Sequence, residues 1–228
     1  MWSIFWLFVW LLAGVFIAIQ VLSWLDTERW QAIVGTVQGI DSVETAVRVI
    51  GTLFAATWGV HLLNRLPFIR GALISRLGFT AGTPNLLQLV TFSFVHGNDN
   101  HLFSNTRDLL IFGGVMAMLV PSMQAFIVGS LVVLLIAAVG FLIYERKDAP
   151  IVGASCVLMG YFSFDLVYGF FALGIGGTIT AWIMLILFGR KIWGVLRFRA
   201  EGVSHIAHIW GFIGGVFSAA ALVRLGFV

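Results

Sequence analysis

Seven stretches of the sequence are apolar over about the length that a transmembrane helix requires. A helix needs about 20 mostly apolar residues to cross the hydrocarbon core of a bilayer. We place the seven spans at residues 1–25, 47–66, 101–120, 124–144, 151–171, 173–189 and 204–223. The sequence therefore predicts an all-α polytopic membrane protein.

The composition is consistent with lipid as the main solvent of this chain. Of the 228 residues, 60% are hydrophobic and 10% are charged, whereas a soluble domain has about 25% charged residues. The net charge of +3 is small and gives no basis for nucleic acid binding. The single cysteine, Cys156, excludes an intrachain disulfide and a Cys-rich zinc site.

The first span does not resemble a signal peptide, because no Lys or Arg precedes its long apolar run. We expect residues 1–46 to form an N-terminal transmembrane helix followed by an acidic loop, and residues 47–228 to form the core of the protein. The connection over residues 67–100 is long. Its apolar part, residues 86–95, is too short to span, so we expect it to lie in the interface or to dip partway into the membrane.

Polar residues open three alternate spans of the predicted bundle. His101 and Asn105 open the third span, four residues apart, so they share one helix face. Ser155 lies just inside the fifth span, and His205 and His208 lie just inside the seventh. Alternate helices of a membrane bundle run in the same direction, so their N-terminal ends lie on one side of the membrane. We therefore expect these side chains close to the same face. Polar residues within spans are costly and indicate a functional site.

Glycines lie on the two helices that carry Ser155 and His208. Gly211 and Gly215 form a G-x-x-x-G pattern in the seventh span, and Gly153 and Gly160 flank Ser155. Small residues at such spacings let two helix backbones approach closely. A nucleophile and its base need that proximity, since they must come within about 2.6–3.2 Å. Taken alone, the glycine pattern is more typical of helix packing than of catalysis.

Three motifs together resemble the rhomboid intramembrane serine proteases. They are "HGNDNHLFSN", "GASC" and "HIWGFIGG", in that order and each at the start of a helix. The resemblance covers residues 55–221. It implies a rhomboid-like core of six helices within residues 47–228, preceded by one extra N-terminal transmembrane helix. It also implies a multi-pass protein, which we expect in the cell membrane.

The resemblance also implies the roles of individual residues. Ser155 would be the nucleophile and His208 its general base, forming a Ser-His dyad without an orienting acid. His101 and Asn105 would stabilise the oxyanion, and His96 would support the preceding loop. The implied substrates are transmembrane segments of proteins in the same bilayer, and the implied chemistry requires no cofactor and no metal.

Two residues depart from the family pattern. Cys156 replaces the glycine that usually follows the serine, and Met159 stands where an aromatic residue usually packs against the base histidine. These departures leave a catalytically inactive, client-binding homologue as an alternative to the protease.

A metal-binding protein is a further alternative, because His96, His101, His205 and His208 are expected near one face, with Asp99 and Glu145 in reach. Imidazoles and carboxylates are ligands of transition metals. A metal site does not explain Gly153 or Asn105, so we rank it below the protease.

The orientation in the membrane has two interpretations. Most Lys and Arg residues of the loops lie on the face that carries Ser155, and the positive-inside rule would place that face in the cytoplasm. The resemblance implies the opposite side.

Overall fold

The computed structural model describes residues 40–69, 71–83, 85–144, 150–197 and 204–226. Within these ranges the chain is almost entirely helical, and five helices are long and apolar enough to cross a membrane. The predicted all-α, multi-pass membrane architecture is therefore confirmed. The expected N-terminal span at residues 1–25 lies outside the described residues, so the division of the chain at residue 46 stays a prediction.

The first described helix, α1, covers Ile40–Asn64. It begins seven residues before the predicted span, so the end of the expected acidic loop is helical. Glu44 and Arg48 form an ion pair one turn apart, which supports the first turns of the helix. The helix ends shortly before Pro67, a residue that cannot continue the backbone hydrogen bonds of a helix.

The long connection contains only short helices. They are α2 at Ala72–Leu77, α3 at Gln88–Thr91 and a 3₁₀ turn at Phe92–Phe94. As predicted, residues 86–95 do not span. Instead Phe92 is fully buried against Phe79 and Phe141, with ring centroids 6.5 and 5.5 Å away. The aromatic contacts fix the connection to the helical bundle.

The third predicted span is helical from Asp99 to Leu119 but is not one regular α-helix. It consists of α4 at Asp99–Asp108, a π-helical turn at Leu109–Gly113 and α5 at Gly114–Leu119. At 1.5 Å per residue the three parts are roughly 30 Å long, which is sufficient for one crossing. Such π-helical turns are frequent beside functional sites.

The remaining helices are α6 at Met123–Tyr144, α7 at Ser155–Ala172, α8 at Gly174–Arg197 and α9 at His205–Arg224. Two of them differ from the predicted spans. Helix α7 begins four residues late, because Gly153 has a positive φ of 106°. Helix α8 continues eight residues beyond Gly189, so its charged end extends toward the interface, where long basic side chains are favourable.

Helix α7 lies at the centre of the bundle, and most of its side chains are buried. Its largest contact is with α9, which also packs along α6, and α8 covers another face of α7. Helix α8 is the least buried of the five long helices within the described ranges. This arrangement places the N-terminal ends of α4, α7 and α9 on one side of the bundle.

Candidate active site

Ser155 is the first residue of α7 and is half-buried. The segment before it is held by the long connection through three backbone hydrogen bonds. Phe79 and Ile151 exchange two of them, at 2.9 and 2.8 Å, and the N–H of Gly153 donates to the carbonyl of Phe92 at 2.9 Å. Gly153 has a φ of 106°, which a residue with a side chain rarely adopts. The chain therefore turns sharply into α7 and presents Ser155 at the helix start.

His208 lies beside Ser155. The distance between Oγ of Ser155 and Nε2 of His208 is 2.9 Å, and the imidazole is only 4% exposed. In the tautomer with hydrogen on Nδ1, the hydroxyl donates and Nε2 accepts, which is the arrangement that proton transfer to the imidazole requires. No acidic side chain among the described residues hydrogen-bonds to Nδ1 of His208. The geometry therefore matches a serine–histidine pair without a third member.

Close contact between α7 and α9 makes this distance possible. A Cβ atom on Gly211 would lie 2.0 Å from the carbonyl oxygen of Cys156, and one on Gly215 would lie 1.9 Å from that of Gly160. A Cβ on Gly160 would in turn be 2.9 Å from the carbonyl oxygen of Gly211. Only glycine fits at these contacts, so the predicted packing role of the three glycines agrees with the geometry.

His101 and Asn105 lie on the other side of the turn before Ser155. A Cβ on Gly153 would be 2.5 Å from Nε2 of His101 and 3.2 Å from Nδ2 of Asn105. Both side chains are thus packed against the glycine two residues before the serine. Gly153 is needed for its backbone conformation and for the space that these two side chains occupy.

His96 positions Asn105. The side-chain amide of Asn105 donates from Nδ2 to Nε2 of His96 at 2.8 Å, and His96 is 1% exposed. Burial, and to a lesser extent the nearby His101, lowers the pKa of His96 from its ordinary 6.5 to about 4. His96 is therefore neutral near pH 7 and can accept this hydrogen bond.

His205, the other histidine at the start of α9, contacts a different helix. Its Nδ1 atom donates to the backbone carbonyl of Val195 on α8 at 3.3 Å. The sequence does contain the signal that separates the two histidines. His208, Gly211 and Gly215 follow the i, i+3, i+7 spacing of one helix stripe, and this stripe faces α7.

Cys156 and Met159, the two departures from the family pattern, are both buried, with exposures of 2% and 4%. The atoms of Cys156 that face Gly211 are backbone atoms. The cysteine is therefore accommodated with the distance between Ser155 and His208 at 2.9 Å.

Two charged clusters lie near the site, and the partners that their carboxylates find on other helices were not predicted. His61 donates from Nε2 to Asp99 at 2.9 Å, and Arg65 pairs with the same carboxylate. Asp108 accepts from Lys191 on α8 through both oxygens, each at 2.8 Å. The first cluster could have been inferred, because α1 ends on the face of the membrane where α4 begins.

The histidines do not form a metal site in the described part of the chain. No group of three or more His, Cys, Asp or Glu side chains there is arranged to hold a metal ion. His205 and His96 make their hydrogen bonds to different partners. Among the described residues, the alternative interpretation as a metal-binding protein has no support from this geometry; Glu145, which that alternative also included, lies outside them.

Comparisons with known proteins agree with the motifs. The family model for the Rhomboid domain matches residues 83–225, which is more than half of the chain. "Uncharacterized protein Rv1337" of Mycobacterium tuberculosis is 24% identical over 147 residues, which cover 61% of this chain and 60% of the relative. "Uncharacterized protein ML1171" of Mycobacterium leprae is 30% identical over 135 residues, covering 56% of this chain and 53% of the relative. The chain thus matches between half and two thirds of the length of these relatives.

Proposed function

The chain belongs to the rhomboid family, and we propose that it is an intramembrane serine endopeptidase that cleaves other membrane proteins within or beside their transmembrane segments. The observation that carries the proposal is the distance of 2.9 Å between Oγ of Ser155 and Nε2 of His208. A serine hydroxyl is a weak nucleophile until a neighbouring base takes its proton. His208 is the side chain in position to do so.

The reaction proceeds through an acyl-enzyme. Nε2 of His208 accepts the hydroxyl proton while Oγ of Ser155 bonds to the carbonyl carbon of the scissile peptide, and the carbonyl π electrons move to oxygen. His208 then protonates the departing amine, the C–N bond breaks, and the acyl group remains on Ser155. A water molecule that gives its proton to His208 attacks the acyl carbon, and the released serine regains a proton from the imidazole.

Several donors are available for the oxyanion of the tetrahedral intermediates. The first backbone N–H groups of α7 have no partner within the helix, because the N–H of Leu158 is the first to reach back, to Ala154. Asn105 has two N–H groups, of which His96 accepts one, and we assign the other to the oxyanion. His101 is the remaining donor beside Gly153. Removal of one such donor typically costs about 100- to 1,000-fold in rate.

The test is cleavage of a reporter transmembrane substrate by the purified full chain in lipid vesicles, together with labelling by a fluorophosphonate. Ser155→Ala and His208→Ala should each lower the cleavage rate by roughly 1,000-fold or more, and the double variant should be no worse, since the pair acts as a unit. His205→Ala is the matched control and should retain most activity. Undiminished cleavage by Ser155→Ala would refute the proposal.

A non-catalytic, client-binding homologue is the second candidate, and Cys156 with Met159 is the feature that favours it. The same experiment separates the two functions. A non-catalytic homologue would bind the reporter segment but would neither cleave it nor react with the fluorophosphonate at Ser155.

A further inference from the structure

A groove lies between α7 and α9 at the end of the bundle away from Ser155. It encloses about 700 Å³, which is within the range of about 300–1,000 Å³ that is usual for ligand sites. Its walls come from residues 163–172 of α7 and 212–224 of α9. The two helices that touch near Ser155 thus leave a cavity between their C-terminal halves.

Among the described helices, the groove opens sideways, toward the lipid. Val216, Ala220 and Val223 follow one stripe of α9, line the groove and are exposed. The hydroxyl of Ser163, a polar group of the wall, already donates to the carbonyl of Phe212 at 2.6 Å and also lies 3.0 Å from the carbonyl oxygen of Gly160. The interior therefore favours an apolar occupant that arrives from the bilayer.

The length of the groove corresponds to one leaflet. From Phe212 to Arg224 the helix rises about 18 Å, and half of the hydrocarbon core is about 15 Å thick. The groove thus runs from the middle of the membrane to the interface opposite Ser155. An extended acyl chain has the shape and the polarity for this space.

Arg224 lies at the outer end of the groove and completes the site. It is exposed in the last turn of α9, and no ion pair joins it to another residue within the described ranges. A guanidinium group pairs strongly with phosphate, and basic pockets between transmembrane helices bind anionic headgroups. We infer that the groove binds an anionic phospholipid, with one acyl chain between α7 and α9 and the headgroup phosphate on Arg224.

The test measures binding and does not depend on protease activity. The full chain is extracted from vesicles that contain equal amounts of phosphatidylglycerol and phosphatidylcholine, and the lipids that remain bound are counted by native mass spectrometry. We expect one retained phospholipid, with phosphatidylglycerol preferred about fivefold, as one basic residue near the surface contributes about 1 kcal/mol.

Two pairs of variants make the result specific. Arg224→Gln should abolish the preference for phosphatidylglycerol, whereas Arg48→Gln, which removes a charge at the same end of the bundle, should not. Ala220→Trp fills the groove and should remove the retained lipid. Ile127→Trp adds the same bulk to an exposed position of α6 near the same interface and should leave the lipid bound.

Several outcomes would overturn the inference. Equal effects of Arg224→Gln and Arg48→Gln would mean that general surface charge selects the lipid. Lipid retention by a folded Ala220→Trp variant would place the lipid elsewhere. A photo-crosslinker at position 220 that captures a second copy of the chain or another protein segment, rather than lipid, would identify the groove as a protein interface.

Discussion

Gly211→Ala is the substitution that most directly tests how the fold makes the site. The added methyl carbon would lie 2.0 Å from the carbonyl oxygen of Cys156, whereas ordinary contacts begin at 3.4 Å. The two helices must therefore separate by about 1.4 Å, the difference between these distances. Gly211 is one turn from His208, and Cys156 directly follows Ser155, so the separation acts on the proposed catalytic pair. A misplacement of 1 Å can cost about 100-fold in rate, and we expect a loss of at least that size.

The assay compares cleavage in vesicles, fluorophosphonate labelling of Ser155 and thermal unfolding in detergent. Gly194→Ala is the control, because a Cβ at Gly194 meets nothing within 4 Å. Both substitutions favour the helix by about 1 kcal/mol relative to glycine, so only the contact between α7 and α9 distinguishes them. The control should cleave at the wild-type rate.

A Gly211→Ala variant that cleaves within a few-fold of the wild-type rate and unfolds at the same temperature would contradict this prediction. That result would mean that a methyl group fits between the backbones of α7 and α9 at this point without separating the helices. Slow cleavage by Gly194→Ala would also count against it, because the loss would then follow from replacing any helical glycine.

Three further predictions concern buried residues. Cys156→Gly should lower stability by roughly 1 kcal/mol through loss of buried volume while cleavage stays unchanged; faster cleavage would show that the thiol holds the helices apart. Asp165→Leu should raise the free energy of unfolding by roughly 1–3 kcal/mol, because both carboxylate oxygens are buried without a hydrogen-bond partner among the described residues; a lower unfolding temperature would contradict this. The depressed pKa of His96 should make stability fall as the pH drops from 6.5 toward 4, since only the unfolded chain takes up that proton. His96→Gln should flatten this dependence in thermal unfolding at different pH values, and an unchanged slope would exclude His96 as its source.

The membrane spans of the core could be predicted from the sequence because their length is set by the thickness of the bilayer. The helices of the structure differ from the predicted spans where local interactions, and not hydropathy, set the helix boundaries or the helix type. Helix α1 begins at Ile40 in a segment that is too polar to count as a span. The π-helical turn at Leu109–Gly113 leaves no signature in hydropathy. Helix α8 continues past Gly189 with charged residues, where a hydropathy criterion ends the span early.

The pairing of polar side chains was harder to predict than the spans. The direction of each helix places a residue on one face of the membrane, but the rotation of the helix decides what it contacts. Asp108, for example, accepts from its sequence neighbour Arg107 and also from Lys191, which is 83 residues away on a different helix. The glycine stripe beside His208 fixes the rotation of α9, which is why that histidine could be preferred over His205.

The position of the site at the helix starts follows from the constraints of the membrane. Inside a bilayer the backbone groups of a helix interior bond to one another, and lipid offers no partner for any that remain. Unpaired N–H groups are therefore available to a reacting carbonyl only at a helix end, such as the start of α7 at Ser155. The base must then come from another helix that also begins on this face, as our proposed base, His208, does on α9. In lipid, burial of apolar side chains contributes little to the association of two helices, so close packing of their backbones has to hold α7 and α9 together. Such packing requires glycines where the two helices cross.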